Sequence, residues 1–251
     1  MSRGRLLLVP NTLDLGAEPV DIRQQLPLGV LQLAAGVSHW LAEDARSARV
    51  FLKRVHAVQP LAQPLQTIDI RELPRPPKGR RDTAPPHWAE LLAPALTGHE
   101  LGLICEAGLP AVADPGAAAV AAAHALGITV LPLPGASSLL LALAASGLNG
   151  QCFAFVGYLP QDAAARTARL KELQALSRRH GQTQLLIETP YRNGAMLRSL
   201  LDTLDADTRL SVSCGLSLTS GWTRSERIAA WRQRPQAMPD RVPAVFAFLA
   251  G

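Results

Sequence analysis

Two stretches concentrate the residues able to do chemistry. In Cys105-Glu-Ala-Gly-Leu-Pro-Ala-Val-Ala-Asp-Pro-Gly116 an apolar run opens into a loop that carries two carboxylates, Glu106 and Asp114, among glycines and prolines. Carboxylates at the end of a buried strand can accept a proton from a reacting group, and loops in that position hold ligands in open α/β sheets. Asp114 has an equally simple structural reading, that it fixes its own turn. In the second stretch, Leu131-Pro-Leu-Pro-Gly-Ala-Ser-Ser138, small residues let a backbone approach a ligand and the serines are placed to cap a following helix. Glu43-Asp44-Ala45-Arg46 adds a third acidic group. These acids could serve as a base, or cap a helix and pair with Arg46. The spacing leaves both readings open.

Other chemistries lack their residues. Neither loop matches a dinucleotide or Walker phosphate pattern, and no GxSxG marks a nucleophile. Cys105, Cys152 and Cys214 are widely spaced within apolar runs, as buried neutral thiols would be. His39, His56, His87, His99, His124 and His180 show no paired ligand spacing, so no metal site is expected.

The elements that must position these residues follow from apolar runs and their breakers. Leu6 to Val9, ended by Pro10, reads as an interior parallel strand. Helical material follows from Asp21 to Gly36 with a boundary near Pro27, then a strand at Trp40 to Ala42, an acidic turn, and a helix over Ser47 to Val55. Pro60 to Pro86, rich in proline and arginine, reads as a surface loop and a basic arm. A helix at Trp88 to Leu96, a strand at Leu101 to Cys105, a helix at Ala117 to Leu126, a strand at Ile128 to Leu133 and a helix at Ala136 to Ala145 complete an alternation that predicts a parallel sheet with helices on its faces. Gly147-Leu-Asn-Gly150 marks a domain boundary, giving domains 1–148 and 149–251. The second is predicted to hold strands at Cys152 to Val156, Gln184 to Ile187, Leu210 to Cys214 and Val245 to Leu249, and helices at Ala163 to Arg179 and Asn193 to Leu204. The fold class is α/β.

A hydrophobic fraction of 48% against 18% charged residues supplies a core for two lobes and argues against disorder. The net charge of +5 is carried by arginine, since Lys53, Lys78 and Lys171 are the only lysines. It is compatible with an RNA partner and with an ordinary basic surface alike. The apolar run Leu6 to Pro10 is too short for a signal-peptide core, and Ala117 to Gly147 is divided by His124, Gly127 and the Pro-Gly turn into pieces too short to span a membrane. A cytoplasmic protein with no membrane segment is expected.

Five blocks occur in one order: Glu43-Asp44-Ala45-Arg46, Glu106-Ala-Gly-Leu-Pro110, Ala113-Asp-Pro-Gly116, Pro132-Leu-Pro-Gly135 and Phe155-Val-Gly-Tyr-Leu-Pro160. In this the chain resembles the tetrapyrrole methylases. It is most similar to the branch that methylates a cytidine ribose in small-subunit ribosomal RNA, whose pattern runs near E-D-T-R, S-D-A-G-T-P-x-I-S-D-P-G, P-L-P-G-P and G-F-L-P. A fainter echo, Ile187-Glu-Thr-Pro-Tyr-Arg192, resembles that branch's Y-E-S-P-H-R.

The resemblance implies two α/β domains with S-adenosylmethionine in the cleft between them, S-adenosylhomocysteine as product, a homodimer, and ribosomal RNA or the small ribosomal subunit as partner. Carried over by position, the cofactor falls to Pro10, Glu106, Ala107, Gly108, Ala113, Asp114, Pro115, Gly116, Pro134, Gly135, Ala136, Ser137 and Ser138. In the second domain it falls to Val156, Gly157, Tyr158, Leu159, Glu188, Thr189, Tyr191 and Arg192. Glu106, Asp114, Glu43 and Asp44 compete as base for a hydroxyl acceptor, and Arg46, Arg75, Lys78, Arg80 and Arg81 are the candidates for RNA. The chain departs from the pattern at its first loop, Pro10-Asn-Thr-Leu-Asp-Leu-Gly16, where the family reads like P-T-P-I-G-N-L-x-D, and after Leu210, where E-L-T-K is replaced. Ala45 and Leu109 stand for threonines and Glu106 for aspartate. The departures leave two alternatives to an RNA methylase: a different acceptor, small molecule or protein, or an inactive cofactor-binding interaction protein.

Overall fold

Each short apolar strand of the first half ends in a turn and is followed by a helix, and the chain answers with a parallel sheet. The computed structural model describes residues 3–14, 20–74 and 87–251. The chain divides into two compact units, Met1–Ala136 and Ser137–Gly251.

The first unit runs β1 (Arg5–Leu8), α1 (Leu28–Gly36), β2 (His39–Ala42), α2 (Ala45–His56), β3 (Asp69–Glu72), α3 (Trp88–Leu91), α4 (Ala93–Leu96), β4 (Leu101–Ile104), α5 (Ala117–Ala125) and β5 (Thr129–Pro132). Its five strands pair in the order β3-β2-β4-β1-β5, all parallel. Alternate residues of a strand face opposite sides, so Leu7 and Trp40 join the core beneath α1 and α2 while Leu6 and Leu41 join the one on the α4 and α5 side. Covering both faces makes the inner strands apolar throughout, and β4 is buried along its whole length. Gly102 of β4 sits beside Trp40 of β2 in register. A Cβ there would lie 2.6 Å from the indole ring, so glycine is what admits Trp40 to the core.

The second unit runs α6 (Ser138–Ser146), β6 (Phe153–Phe155), α7 (Ala163–His180), β7 (Thr183–Ile187), α8 (Asn193–Thr203), β8 (Arg209–Cys214), β9 (Trp222–Arg227), α9 (Ile228–Gln233) and β10 (Ala244–Leu249). Its sheet is mixed, in the order β6-β7-β10-β8-β9. Only β6 and β7 are parallel, and the remaining pairs are antiparallel. Phe246, Phe248, Leu210 and Val212 pack under α7, α8 and α9. Leu185, Val245 and Ala247 pack on the opposite face under α6.

Three elements differ from the expectation. β3 lies in the segment read as a loop: Asp69-Ile-Arg-Glu72 is an exposed edge strand, and its charges hide the apolar alternation that identifies a strand. β9 is hidden for the same reason, as an edge strand rich in arginine and polar residues, and α9, a helix of six residues, is too short to show a helical period. The division into units falls before α6 and not after it, because Leu139, Ala142 and Leu143 of this helix pack on the second sheet. No helix among the described residues is long and apolar enough to cross a membrane.

Candidate functional site

The carboxyl ends of β2, β4, β1 and β5 are neighbours in the sheet, so the loops they feed converge. The loop after β1 meets the loop after β4 through a two-way backbone exchange: Asn11 N–H donates to Gly108 O (2.9 Å) and Gly108 N–H to Asn11 O (3.2 Å). The Asn11 side chain adds bonds from Nδ2 to the carbonyls of Cys105 and Glu106, each 3.0 Å. The loop after β5 closes from the other side. A Cβ on Gly135 would lie 2.3 Å from Pro10 Cβ, so this approach is open only to glycine.

Carboxyl groups gather at the same edge. Glu43, Asp114 and the Cys105 thiol place their ligand atoms within 4.8 Å of one another, and Glu106 N–H donates to Glu43 Oε2 at 3.2 Å. Burial, then the neighbouring charges of Glu43 and Glu106, push Asp114 up to about 6. Burial also pushes the Cys105 thiol up to about 12, and its Sγ donates to Pro115 O at 3.1 Å. A thiol held protonated and two carboxyls in mutual repulsion suit a proton-holding group better than a soft metal site. The cluster also suits a cationic ligand, which would relieve that repulsion.

The loop carrying Asp114 is bent through left-handed backbone at Gly108, Ala111, Ala113 and Gly116, with φ of 68°, 66°, 65° and 130°. Glycine adopts such angles freely, whereas each alanine there costs roughly 1 kcal/mol or more. Strain of this kind is retained where surrounding structure dictates the turn.

The structure sorts the remaining candidates. Asp44 caps α2, its Oδ1 accepting from Ser47 N–H (2.7 Å) and Ser47 Oγ (2.8 Å), so the capping reading applies to Asp44 but not to Glu43. Arg46 is exposed on the first turn of α2. Ser137 stands at the start of α6 without a side-chain capping bond, contrary to the capping expectation. Arg75, Lys78, Arg80 and Arg81 lie outside the described residues.

Sequence reasoning missed the anchor of the first loop. Asp14, whose side chain is fully buried, receives Arg54 Nη1 on Oδ1 (3.0 Å) and Nη2 on Oδ2 (2.9 Å). Thr12 Oγ1 also donates to Asp14 (2.8 Å) and accepts from Arg54 (2.9 Å). Gln25 Nε2 donates to Asp14 Oδ2 at 3.3 Å, and its Oε1 accepts from Leu13 N–H. The available signal was the pair of polar residues, Thr12 and Asp14, in the divergent loop; Arg54, in the last turn of α2, gave none.

In the second unit the loops after β6 and β7 part at a bond from Ile187 N–H to Gly157 O (3.2 Å). Gly157 is left-handed, and Leu159 is buried. Glu188 is buried too, and its Oε1 accepts from Thr189 N–H (2.7 Å) and from Arg192 Nε (3.1 Å) and Nη2 (2.7 Å).

Known proteins resemble this chain in sequence and in fold. The chain is 38% identical over 132 residues to the ribosomal RNA small subunit methyltransferase I of Pseudomonas aeruginosa, covering 53% of this chain and 45% of that one. It is 31% identical over 207 residues to the protein of that name from Mesorhizobium japonicum, covering 82% and 64%. The chain thus spans about half to two thirds of the length of these curated relatives. The crystal structure of the methyltransferase CobJ shares the fold, with a TM-score of 0.58 at 14% identity over 99% of this chain and all of that one. A family model described as tetrapyrrole (corrin/porphyrin) methylases matches residues 36–220. That match covers well over half of the chain, and the chain belongs to the tetrapyrrole methylase family.

Proposed function

We infer that the chain is an S-adenosylmethionine-dependent methyltransferase acting on a ribose hydroxyl of small-subunit ribosomal RNA in the cytoplasm. The likeness to relatives named ribosomal RNA small subunit methyltransferase I, extending over 82% of the chain, carries the reading. The residues fit the cofactor: small residues at the half-buried Gly135 and Ala136 leave backbone partly accessible, and the Glu43, Asp114 and Glu106 carboxyls suit its cationic sulfonium and ammonium groups. In the first unit Pro10, Glu106, Ala107, Gly108, Ala113 to Gly116 and Pro134 to Ala136 would hold it. In the second unit the resemblance gives Ser137, Ser138, Val156, Gly157, Leu159, Glu188 and Thr189 to the cofactor.

S-adenosylmethionine supplies an electrophilic methyl when bound. The chain's own part would be to hold the acceptor hydroxyl against that methyl and to take up the hydroxyl proton. Asp114 is the base we assign, because a carboxyl near 6 is ionised at neutral pH yet basic enough to receive a proton. Burial, and then repulsion from Glu43 and Glu106, maintains that value.

A homodimer accords with apolar side chains left exposed in the second unit, Leu140 and Leu141 on α6 and Phe153 and Phe155 on β6. The rebuilt first loop favours one alternative, an acceptor other than that of the relatives. Calorimetry tests the cofactor: absence of S-adenosylmethionine binding would end the enzymatic reading. Mapping ribose methylation of ribosomal RNA in a deletion strain tests the acceptor, and an unchanged map would leave the alternative.

A further inference from the structure

Every exposed phenylalanine, tyrosine or tryptophan among the described residues belongs to β6 or to the loops that β6 and β7 feed. Phe153 and Phe155 lie on β6 itself. Beyond them stand the chain's two tyrosines, Tyr158 after β6 and Tyr191 after β7, 56% and 73% exposed. Since β6 and β7 are parallel neighbours, both tyrosines leave the same edge of the sheet, the edge at which parallel strands present ligand-binding loops.

Single exposed apolar residues are ordinary, but Tyr191 is mounted rigidly. It lies in the turn Pro190–Arg192, closed by Arg192 N–H donating to Thr189 O at 2.8 Å. Both residues flanking that turn's core, Thr189 and Arg192, are tied to Oε1 of Glu188, whose side chain is 5% exposed. The Arg192 guanidinium also lies 5.5 Å from the centre of the Tyr191 ring. The ion pair, buried on its carboxylate side, therefore ties the backbone on either side of an exposed ring.

We propose that Tyr158 and Tyr191 form a stacking platform for unpaired nucleobases of the RNA acceptor, with Arg192 adding a cation–π contribution. Base stacking on aromatic rings strengthens single-strand binding and tolerates any sequence, and the net charge of +5 suits a polyanion. The resemblance gives Tyr158, Tyr191 and Arg192 to the cofactor instead, whose adenine is the other planar ring at hand, and the S-adenosylmethionine arm of the test below decides between the two. The platform rests on the RNA reading above.

The test uses the full chain and a short, fluorescently labelled single-stranded RNA, beside an abasic ribose-phosphate strand of equal length. Tyr191→Ala is expected to weaken RNA binding about tenfold, to leave the abasic strand unaffected and to keep S-adenosylmethionine affinity within about twofold of wild type. Tyr191→Trp is expected to restore binding, and adding Tyr158→Ala to Tyr191→Ala to deepen the loss. Unchanged RNA binding in the alanine variants, with wild type binding well, overturns the platform alone. Equal losses on both strands overturn it by removing the role of the bases. Loss of cofactor affinity assigns the rings to the cofactor, and a changed oligomeric state assigns them to a protein contact; either overturns the proposal. Wild type that binds neither strand brings down the RNA reading and the platform together.

Discussion

The loops that leave β1 and β4 meet at Asn11 and Gly108, yet they are held in opposite ways. The first is clamped by attraction: a buried carboxylate, a two-pronged guanidinium and a hydroxyl close on one another. The second holds carboxyls that repel and alanines in backbone suited to glycine. A loop that binds or reacts must keep groups in states that free energy disfavours, and its rigid neighbour, which shares its backbone hydrogen bonds, helps hold it there. Stability concentrated beside strain is the physical sense of the contrast.

Breaking the clamp gives the largest effect. Arg54→Leu leaves the Asp14 carboxylate buried without its cation, and a loss of about 3 kcal/mol or more in unfolding free energy is expected in denaturant titration. A variant as stable as wild type would remove the clamp from the account. Crowding the meeting point comes next. Gly135→Ala drives a methyl into the rigid Pro10 ring, and S-adenosylmethionine affinity measured by calorimetry is expected to fall roughly tenfold or more, at the order of 1–3 kcal/mol expected for overpacking.

The remaining changes relieve the second loop. The folded-state value of Asp114 lies above its ordinary 3.8, at about 6. Its contribution to stability is therefore present at low pH and is lost as pH rises through 6. Asp114→Asn is expected to raise the melting temperature at pH 7, to flatten its pH dependence between the two values, and to remove the acid limb of the methyl-transfer rate near pH 6. An unaltered pH–rate profile would pass the base role to another group. The smallest expected effect is a gain of about 0.5–1 kcal/mol for Ala113→Gly, in backbone where glycine meets no Cβ penalty.

The same contrast explains what the sequence made legible. Glu43, Glu106 and Asp114 stand in short blocks beside apolar strands, so local pattern finds them. Asp14 and Arg54 are 40 residues apart, and neither lies in such a block; the fold alone brings them together. Elements divide likewise. β1 and β4 are apolar on both faces and end in breakers, whereas β3 and β9 are edge strands whose charged residues keep other chains from pairing and conceal the strand. Asp44, read beside Glu43 as a possible base, is committed to Ser47, a distinction that spacing cannot make.

The membership of α6 bears on how the chain can be cut. A fragment begun at Asn149, within the glycine pair, would strip the helix from the second sheet and bare Leu185, Val245 and Ala247. It would also remove Ser146, whose carbonyl accepts from Ser225 Oγ at 2.6 Å. Such a fragment should aggregate on expression, whereas one begun at Ser137 keeps the sheet covered, making the Ala136–Ser137 bond the seam for dissecting the protein.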